Sequence, residues 1–411
     1  MSGARRRVAM LLSGGVDSAL ALALMREAGH ELTAFYLKIW LEEELAFLGD
    51  CPWEEDMAYA TEVCRQLEVP LEVVPLQDEY RQAVVEYALT ALRAGHTPSP
   101  DVLCNRAIKF GAFGDRLAAD YDAVASGHYA RLRRLPDGRC QLLRGVDPVK
   151  DQSYFLAYLR AEQLGRLCFP IGGLHKREVR AQASERDLAP CARRDSQGIC
   201  FLGKLSYRDF VRAHLGEQPG PIREAGTGAE LGSHRGHWFH TIGQRQGLGL
   251  GNGPWYVVAK EVAANTVYVA HDAAAAAPDS VVLADGNWIE PLPDAALHDQ
   301  PVLVRIRHGD APRPATLSRV SANGGAAPAD GGDDAPVLRF DGPVPGLASG
   351  QFAVLYSAAE PALCYGSAVM QRPSSVPSVE RRDGEEPAVP GTFADGQAVA
   401  HPAPALESAD L

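Results

Sequence analysis

The chain has 411 residues, 46% hydrophobic and 22% charged, the composition of a soluble globular protein long enough for two or three cores. Its 52 acids against 40 bases give a formal charge of −12, which taken as a whole speaks against a polyanionic partner, and no apolar run of about 18 residues supplies a spanning helix. Eight cysteines without a Cys-x-x-Cys pair exclude a disulfide scaffold and point to a reduced compartment, while residues 1–7 (MSGARRR) are too short for a signal peptide or a complete transit peptide.

The first 130 residues alternate strand and helix patterns. Val8–Leu12 is an apolar run ending in a glycine turn, and Ala19–Ala28 reads as a helix stopped by Gly29. Leu32–Leu37 is a second strand. In Glu54–Leu67, Met57, Ala60, Val63, Cys64 and Leu67 share one helical stripe. Leu71–Leu76 is a third strand, Asp78–Ala94 a helix ended by Gly95, Arg106–Ala119 another helix, and Ala123–Ser126 a strand. Repeated βα units of this length predict an α/β fold with a doubly wound parallel sheet and ligands at the carboxyl ends of its strands.

Beyond residue 130 the texture changes. Pro136-Asp137-Gly138 turns a hairpin between Tyr129–Arg134 and Arg139–Leu143, and residues 150–215 look mainly helical. After Gly216 short strands suggest small β modules to about residue 370. The expected division is 1–215, a nucleotide domain with a helical extension; 216–278, a small central β-rich domain; 279–373, a C-terminal β-barrel with a disordered loop at 324–335; and 374–411, a disordered tail. Charge follows this division. Residues 31–80 hold 13 acids and 2 bases, the tail 7 acids and 2 bases, and residues 131–212 hold 17 bases and 9 acids, a net of +8. That segment suits a phosphate-bearing partner, although a merely solvated helical face would carry the same charge.

Three motifs carry chemistry. Ser13-Gly14-Gly15-Val16-Asp17-Ser18 lies between a strand and a helix. Its glycines let backbone approach a phosphate, the helix N-terminus presents unpaired N–H groups, and Asp17 can hold Mg²⁺ or cap the helix. No Gly-Lys-Ser/Thr follows, so it is not a Walker A loop. In Pro98-Ser99-Pro100-Asp101-Val102-Leu103-Cys104-Asn105, two prolines stiffen a loop, and Cys104 sits beside a helix N-terminus that favours a thiolate, or is simply a buried small hydrophobe. In Asp195-Ser196-Gln197-Gly198-Ile199-Cys200-Phe201, the preceding Arg193 and Arg194 would lower a thiol pKa. The spacing of His234, His237 and His240 suggests zinc, but a β segment puts neighbours on opposite faces, so no metal is assigned; Gly247–Gly251 reads as a turn.

SGGVDS resembles the signature of the ATP pyrophosphatase (PP-loop) superfamily, which cleaves ATP between the α and β phosphates. PSPDVLCN with IKFG, VKDQSYFL, DSQGICFLG and TIGQRQGLG, in this order over about residues 8–370, resemble the tRNA-specific 2-thiouridylase family. TAFYLKIW and CPWEEDMAYA look most like its algal and plant branch. The resemblance implies a PP-loop (adenine nucleotide α-hydrolase-like) domain, a small central domain and a C-terminal β-barrel. It implies ATP contacts from Leu11, Leu12, Ser13, Gly14, Gly15, Val16, Asp17, Ser18, Leu37 and Gly127, and a target base met by Ser99, Pro100 and Asp101. Lys150, Asp151, Gln152, Arg307 and His308 would touch tRNA. Cys104 would be the nucleophile and Cys200 the persulfide carrier, joined in a transient disulfide, with Asp101 relaying a proton. Two positions depart from the family: Ser99 stands for its usual Asn, and Arg307-His308 for its usual Arg-Tyr.

The implied chemistry is coherent. Uridine C2 carries a poor leaving group until ATP converts its oxygen to AMP, after which a sulfur nucleophile displaces it. ATP and Mg²⁺ are the expected cofactors; an iron–sulfur cluster on Cys104, Cys200 and Asp101 is the less favoured alternative. Expected partners are tRNA and a sulfur donor, either a cysteine desulfurase or a relay protein. The setting would be cytoplasmic for a bacterial type and a plastid or mitochondrion for an algal one, the latter with an address upstream of this sequence. Two rivals stay open: an amidating PP-loop ligase, which needs no cysteine pair, and a non-catalytic RNA-binding protein.

Overall fold

Val8, Ala9 and Met10 are at most 1% exposed because the strand that carries them runs through the middle of a sheet covered on both faces. In the computed structural model, which describes residues 5–39, 53–116, 119–194, 206–274, 277–292, 299–321 and 334–371, the strands before residue 170 are β1 (Arg7–Leu11), β2 (Glu31–Lys38), β3 (Leu71–Pro75), β4 (Ala123–Ala125), β5 (Ala130–Arg134), β6 (Cys140–Arg144) and β7 (Leu167–Cys168). The expected tail, residues 324–333 of the expected loop and the whole of Asp195–Phe201 lie outside the described residues. Asp334 and Ala335, expected in that loop, belong instead to a strand of the barrel.

A five-stranded sheet has the order β3-β2-β1-β4-β7, with parallel pairing throughout. The order reverses between β1 and β4, and the crevice there is the ligand position of doubly wound sheets. Helix α1 (Val16–Glu27) follows β1, α2 (Trp53–Leu67) follows β2, and a continuous helix α3 (77–93) follows β3. Helix α4 (100–116) starts six residues before the expected Arg106, because Pro100, with its fixed φ and missing N–H, takes a first-turn position. Ser99–Cys104 is therefore a helix start and not a loop. β7 was not legible in the sequence, since two residues carry no period.

The hairpin β5–β6 leaves the parallel sheet. Its Leu142 and Leu143 pair with Cys364 and Leu363, more than 200 residues later. Further elements include α5 (Ser153–Leu156), α6 (Lys176–Glu185) and α7 (Tyr207–Leu215), then β8 (Gly220–Glu224), β9 (Glu230–His234), β10 (Tyr256–Glu261) and β11 (Thr266–Ala270) in a four-stranded sheet. Finally β12 (Ser280–Trp288), β13 (Gln300–Arg305), β14 (Arg313–Ser321), β15 (Asp334–Arg339), β16 (Phe352–Ser357) and β17 (Leu363–Gln371) close into a barrel through the β12–β17 pairing. The expected architecture of parallel α/β unit, small central β unit and C-terminal barrel is thus observed. Asn287 of β12 donates to Ala157 O at 3.4 Å and Leu159 O at 2.8 Å, and Thr97 N donates to Ser349 O at 2.8 Å, so the barrel braces the segment after α5 and the one leading into α4.

Candidate functional site

The loop after β1 is shaped to hold an anion. Gly15 is the N-cap of α1 and provides no side-chain cap, so the first N–H groups of a twelve-residue helix remain open. Ser18 accepts from Ser13 N at 3.2 Å and donates to Gly15 O at 3.1 Å, which pins the turn internally. Gly14 has φ +73°, and a Cβ there would stand 2.3 Å from Asp56 O. A Cβ on Gly127, after β4, would stand 2.7 Å from Ser18 N, so the β4 loop closes directly on the start of α1. Leu37 lies near the end of β2 on the same edge of the sheet. Gly14→Ala is expected to cost about 1–3 kcal/mol of stability, measurable by thermal melting.

Asp17 does not cap the helix. Lys176 Nζ donates to its two oxygens at 2.7 and 2.8 Å, and Tyr129 Oη donates to Oδ1 at 2.7 Å. Arg193 also serves this loop. It donates to Gly14 O at 3.0 Å and to Asp56 Oδ1 at 2.6 Å, and lies over the Tyr59 ring at 4.6 Å. Burial pushes the Asp56 carboxyl up, while Arg193 pulls it down. The thiol that Arg193 and Arg194 are expected to activate, Cys200, lies outside the described residues; Arg193 itself is directed to Asp56 and the Gly14 turn.

Cys104 lies one turn inside α4 and is 1% exposed, among Val102, Ile108 and their neighbours. Its surroundings from 104 to 112 are wide π-type turns, a form concentrated at functional sites. Gln163 satisfies the carbonyls of Arg106 at 3.0 Å and Phe110 at 2.7 Å that such turns leave over. Ser99 N donates to Tyr87 Oη at 3.4 Å, and the Ser99 side chain makes no cap bond. Pro100 is buried and Asp101 half-buried. Cys200 lies outside the described residues.

The five expected tRNA residues divide. His308 is exposed and stacks on Phe155, with ring centroids 4.4 Å apart. Burial of its inner face and then Arg305 lower its pKa, with Asp151 and Asp101 opposing, so Asp101, Lys150 and His308 share one neighbourhood. Arg307 bridges Ile242 O at 3.3 Å and Gly346 O at 3.1 Å, tying the central unit to the barrel. Gln152 Oε1 accepts from Tyr129 N at 3.0 Å. Asp151 departs from the expectation. Its side chain is wholly buried and accepts from Arg144 Nε at 2.9 Å, Arg305 Nη1 at 2.8 Å, Gly145 N at 2.9 Å and Ser153 N at 3.1 Å, leaving no exposed oxygen for tRNA. Part of the +8 segment is likewise engaged internally: Arg133 pairs with Glu360, Arg186 with Glu27 and Arg193 with Asp56.

The histidine series serves packing. His234 Nε2 lies 3.0 Å from Asn265 O, and His237 Nδ1 lies 3.2 Å from Asn265 Oδ1. Burial lowers the pKa of His240 to about 4, keeping it neutral. Among the described residues no group of three or more His, Cys, Asp or Glu side chains is placed to hold a metal.

A family model described as tRNA methyl transferase HUP domain matches residues 6–204, and one described as tRNA methyl transferase PRC-barrel domain matches residues 208–271. The tRNA-specific 2-thiouridylase MnmA 2 of Bacteroides fragilis is 43% identical over 363 residues, covering 88% of this chain and 98% of its own. The chain belongs to the tRNA-specific 2-thiouridylase family. MnmA 1 of Bacteroides thetaiotaomicron is 50% identical over 264 residues, 64% of this chain and 74% of its own. MnmA of Porphyromonas gingivalis is 40% identical over 372 residues, 89% and 99% respectively. For a 2-thiouridylase chain, the structure adds residues that the sequence reading missed. Lys176 brings a cation to Asp17 from 159 positions away, with no local signal to announce it. His128 follows Gly127, with Nδ1 2.8 Å from Ser126 Oγ and its ring near Phe110 and Phe169. Burial pushes its pKa down to about 3, so a neutral imidazole faces this edge. Its position directly after the strand end was the signal available.

Proposed function

We propose that this protein carries out ATP-dependent 2-thiolation of the wobble uridine of tRNA. The observation that carries the reading is the convergence of the open α1 N-terminus, the Gly14–Gly15 turn and Gly127 at the sheet's switch point, on the unit that also bears Asp101 and Cys104. A phosphate-binding loop at a switch point suits nucleotide activation; transfer of a methyl group from a ready-made donor has no need of it. The amidating-ligase reading leaves the cysteine motifs unused, and the non-catalytic reading leaves the nucleotide loop unused.

In the proposed sequence, the uridine C2 oxygen attacks the α-phosphate of ATP and pyrophosphate leaves. The α1 N-terminus, Lys176 and the loop N–H groups hold the phosphates. The terminal sulfur of a Cys200 persulfide then forms a bond to C2, and AMP departs with the oxygen. The Cys104 thiolate attacks Cys200 Sγ, the S–S bond to the base breaks, and its electron pair stays on the 2-thiouridine sulfur. Cys104 and Cys200 end as a disulfide, which a dithiol reductant returns to thiols. Asp101, near Lys150 and His308, is the proton relay at the base.

Mg²⁺ would be carried on the nucleotide's own phosphate oxygens and needs few protein ligands, since both oxygens of Asp17, the carboxylate of the loop, are engaged by Lys176 and Tyr129. When bound, it neutralises the pyrophosphate charge. The iron–sulfur alternative makes Cys104 and Cys200 ligands and not redox partners; iron analysis of protein purified without oxygen decides between the two. The sulfur donor is proposed to be a cysteine desulfurase or a relay protein. The bacterial relatives support a cytoplasmic setting over the organellar one suggested by TAFYLKIW and CPWEEDMAYA. No helix among the described residues is long and apolar enough to cross a membrane.

Incubation of the full chain with tRNA, ATP, Mg²⁺, a persulfide donor and a dithiol reductant is expected to yield 2-thiouridine by nucleoside mass spectrometry, with AMP and pyrophosphate released in step. Pyrophosphate release without tRNA and without thiolation would transfer the assignment to the ligase reading.

A further inference from the structure

A cavity of about 290 Å³, near the small end of the range for ligand sites, opens where three parts of the chain meet. Pro98 and Pro100 at the start of α4 form one wall, Tyr207 and Arg208 of α7 a second, and Phe239 and Gln244 of the central unit a third. Asp101 and Cys104 do not line it. Asp101 lies instead in the neighbourhood of His308. The Ser99–Asp101 helix start thus stands between this cavity and the side on which the target base is proposed to bind.

The lining has the chemistry of a single-stranded nucleic-acid subsite. The Arg208 guanidinium lies 5.8 Å from the Phe239 ring centroid, and no acid among the described residues pairs with it. Gln244 accepts from Thr241 N at 3.0 Å and donates to Gln246 O at 2.8 Å, which fixes its amide and leaves one N–H for a ligand. Aromatic faces beside an uncommitted cation bind unstacked bases and their phosphates. Sequence-specific recognition of RNA concentrates on loops whose bases can be splayed out in this way.

We propose that this cavity holds the base of a nucleotide adjacent to the target uridine, stacked against Phe239 or Tyr207, with Arg208 on its phosphate and the free Gln244 N–H on a base acceptor. The proposal rests on the thiolation reading and extends it. Holding the neighbour on the far side of the prolines would pull the loop strand apart and deliver the target base to the Asp101 side.

The test measures binding by fluorescence anisotropy, using the full chain and an anticodon stem-loop RNA, intact or abasic at the nucleotide on either side of the target. The wild-type chain is expected to lose about tenfold in affinity with one of the two abasic RNAs, and Phe239→Ala about tenfold on intact RNA. The two losses should not add when combined. Arg208→Gln is expected to reduce the slope of log affinity against log salt by about one. Equal wild-type affinity for intact and both abasic RNAs would overturn the subsite, and it needs no variant that could misfold. Additive losses would overturn it as well. Unchanged RNA affinity in Phe239→Ala with a raised KM for the sulfur donor would give the cavity to a protein partner. If the intact stem-loop itself fails to bind, the thiolation reading falls first; if it binds and the abasic RNAs bind equally, the subsite falls alone.

Discussion

Cys200→Ser is expected to reduce 2-thiouridine to background while tRNA-dependent pyrophosphate release continues. A serine hydroxyl cannot carry a persulfide, and its oxygen is not ionised near neutral pH, so sulfur delivery stops. Activation draws on other residues: the Gly14–Gly15 turn, the α1 N-terminus, Lys176 and Gly127. Cys104→Ser is expected to behave similarly over repeated turnovers, because a persulfide bonded to the base then has no internal thiol to release it. Cys104 is 1% exposed, so a hydroxyl there costs about 1–3 kcal/mol of stability, and thermal melting separates that cost from the chemical loss. Nucleoside mass spectrometry and a pyrophosphate assay on the same samples check both. Thiolation at the wild-type rate in Cys200→Ser would exclude the persulfide route.

Asp151→Ala is expected to destabilise the fold by about 3–5 kcal/mol. The carboxylate is completely buried and answers Arg144, Arg305 and two backbone N–H groups; Arg305 is itself 2% exposed. Its removal leaves a buried guanidinium without its counter-charge, at the junction of β6, α5 and barrel strand β13. Urea denaturation is expected to show a lower midpoint, and the salt dependence of tRNA binding should be unchanged. Had Asp151 been a surface tRNA contact, stability would stay within about 0.5 kcal/mol of wild type. Lys150→Ala is the matching control: stability is expected to be preserved and the salt slope to fall by about one.

Local structure is legible in the sequence where a period or a turn residue states it. The βα alternation, the Gly29 and Gly95 helix stops and the Pro136–Gly138 hairpin all follow from short-range propensity, and Gly29, Gly95 and Gly138 do adopt positive φ. The start of α4 is not legible, because Pro-x-Pro suits a stiff loop as well as a first helical turn, and here Pro100 takes the helical position. β7 and the barrel pairing of β5–β6 are not legible, because sheet partnership is decided by distant hydrogen bonding and leaves no mark on a few residues of alternating chain.

By itself, the sequence determined the nucleotide loop, the cysteine-bearing segments and the order of the three units, since each depends on residue types at fixed local spacing. Tertiary structure alone decided the roles of the charges. The chain's −12 and the +8 of residues 131–212 are sums that treat every ionised group as solvent-facing. Folding instead turns Arg193 and Lys176 toward the nucleotide loop and hides Asp151 between two arginines, while Arg208 is left beside an aromatic ring at an open cavity. A charge acts through its distance to partners and its access to water, and in this protein those partners are mostly more than 100 residues away along the chain.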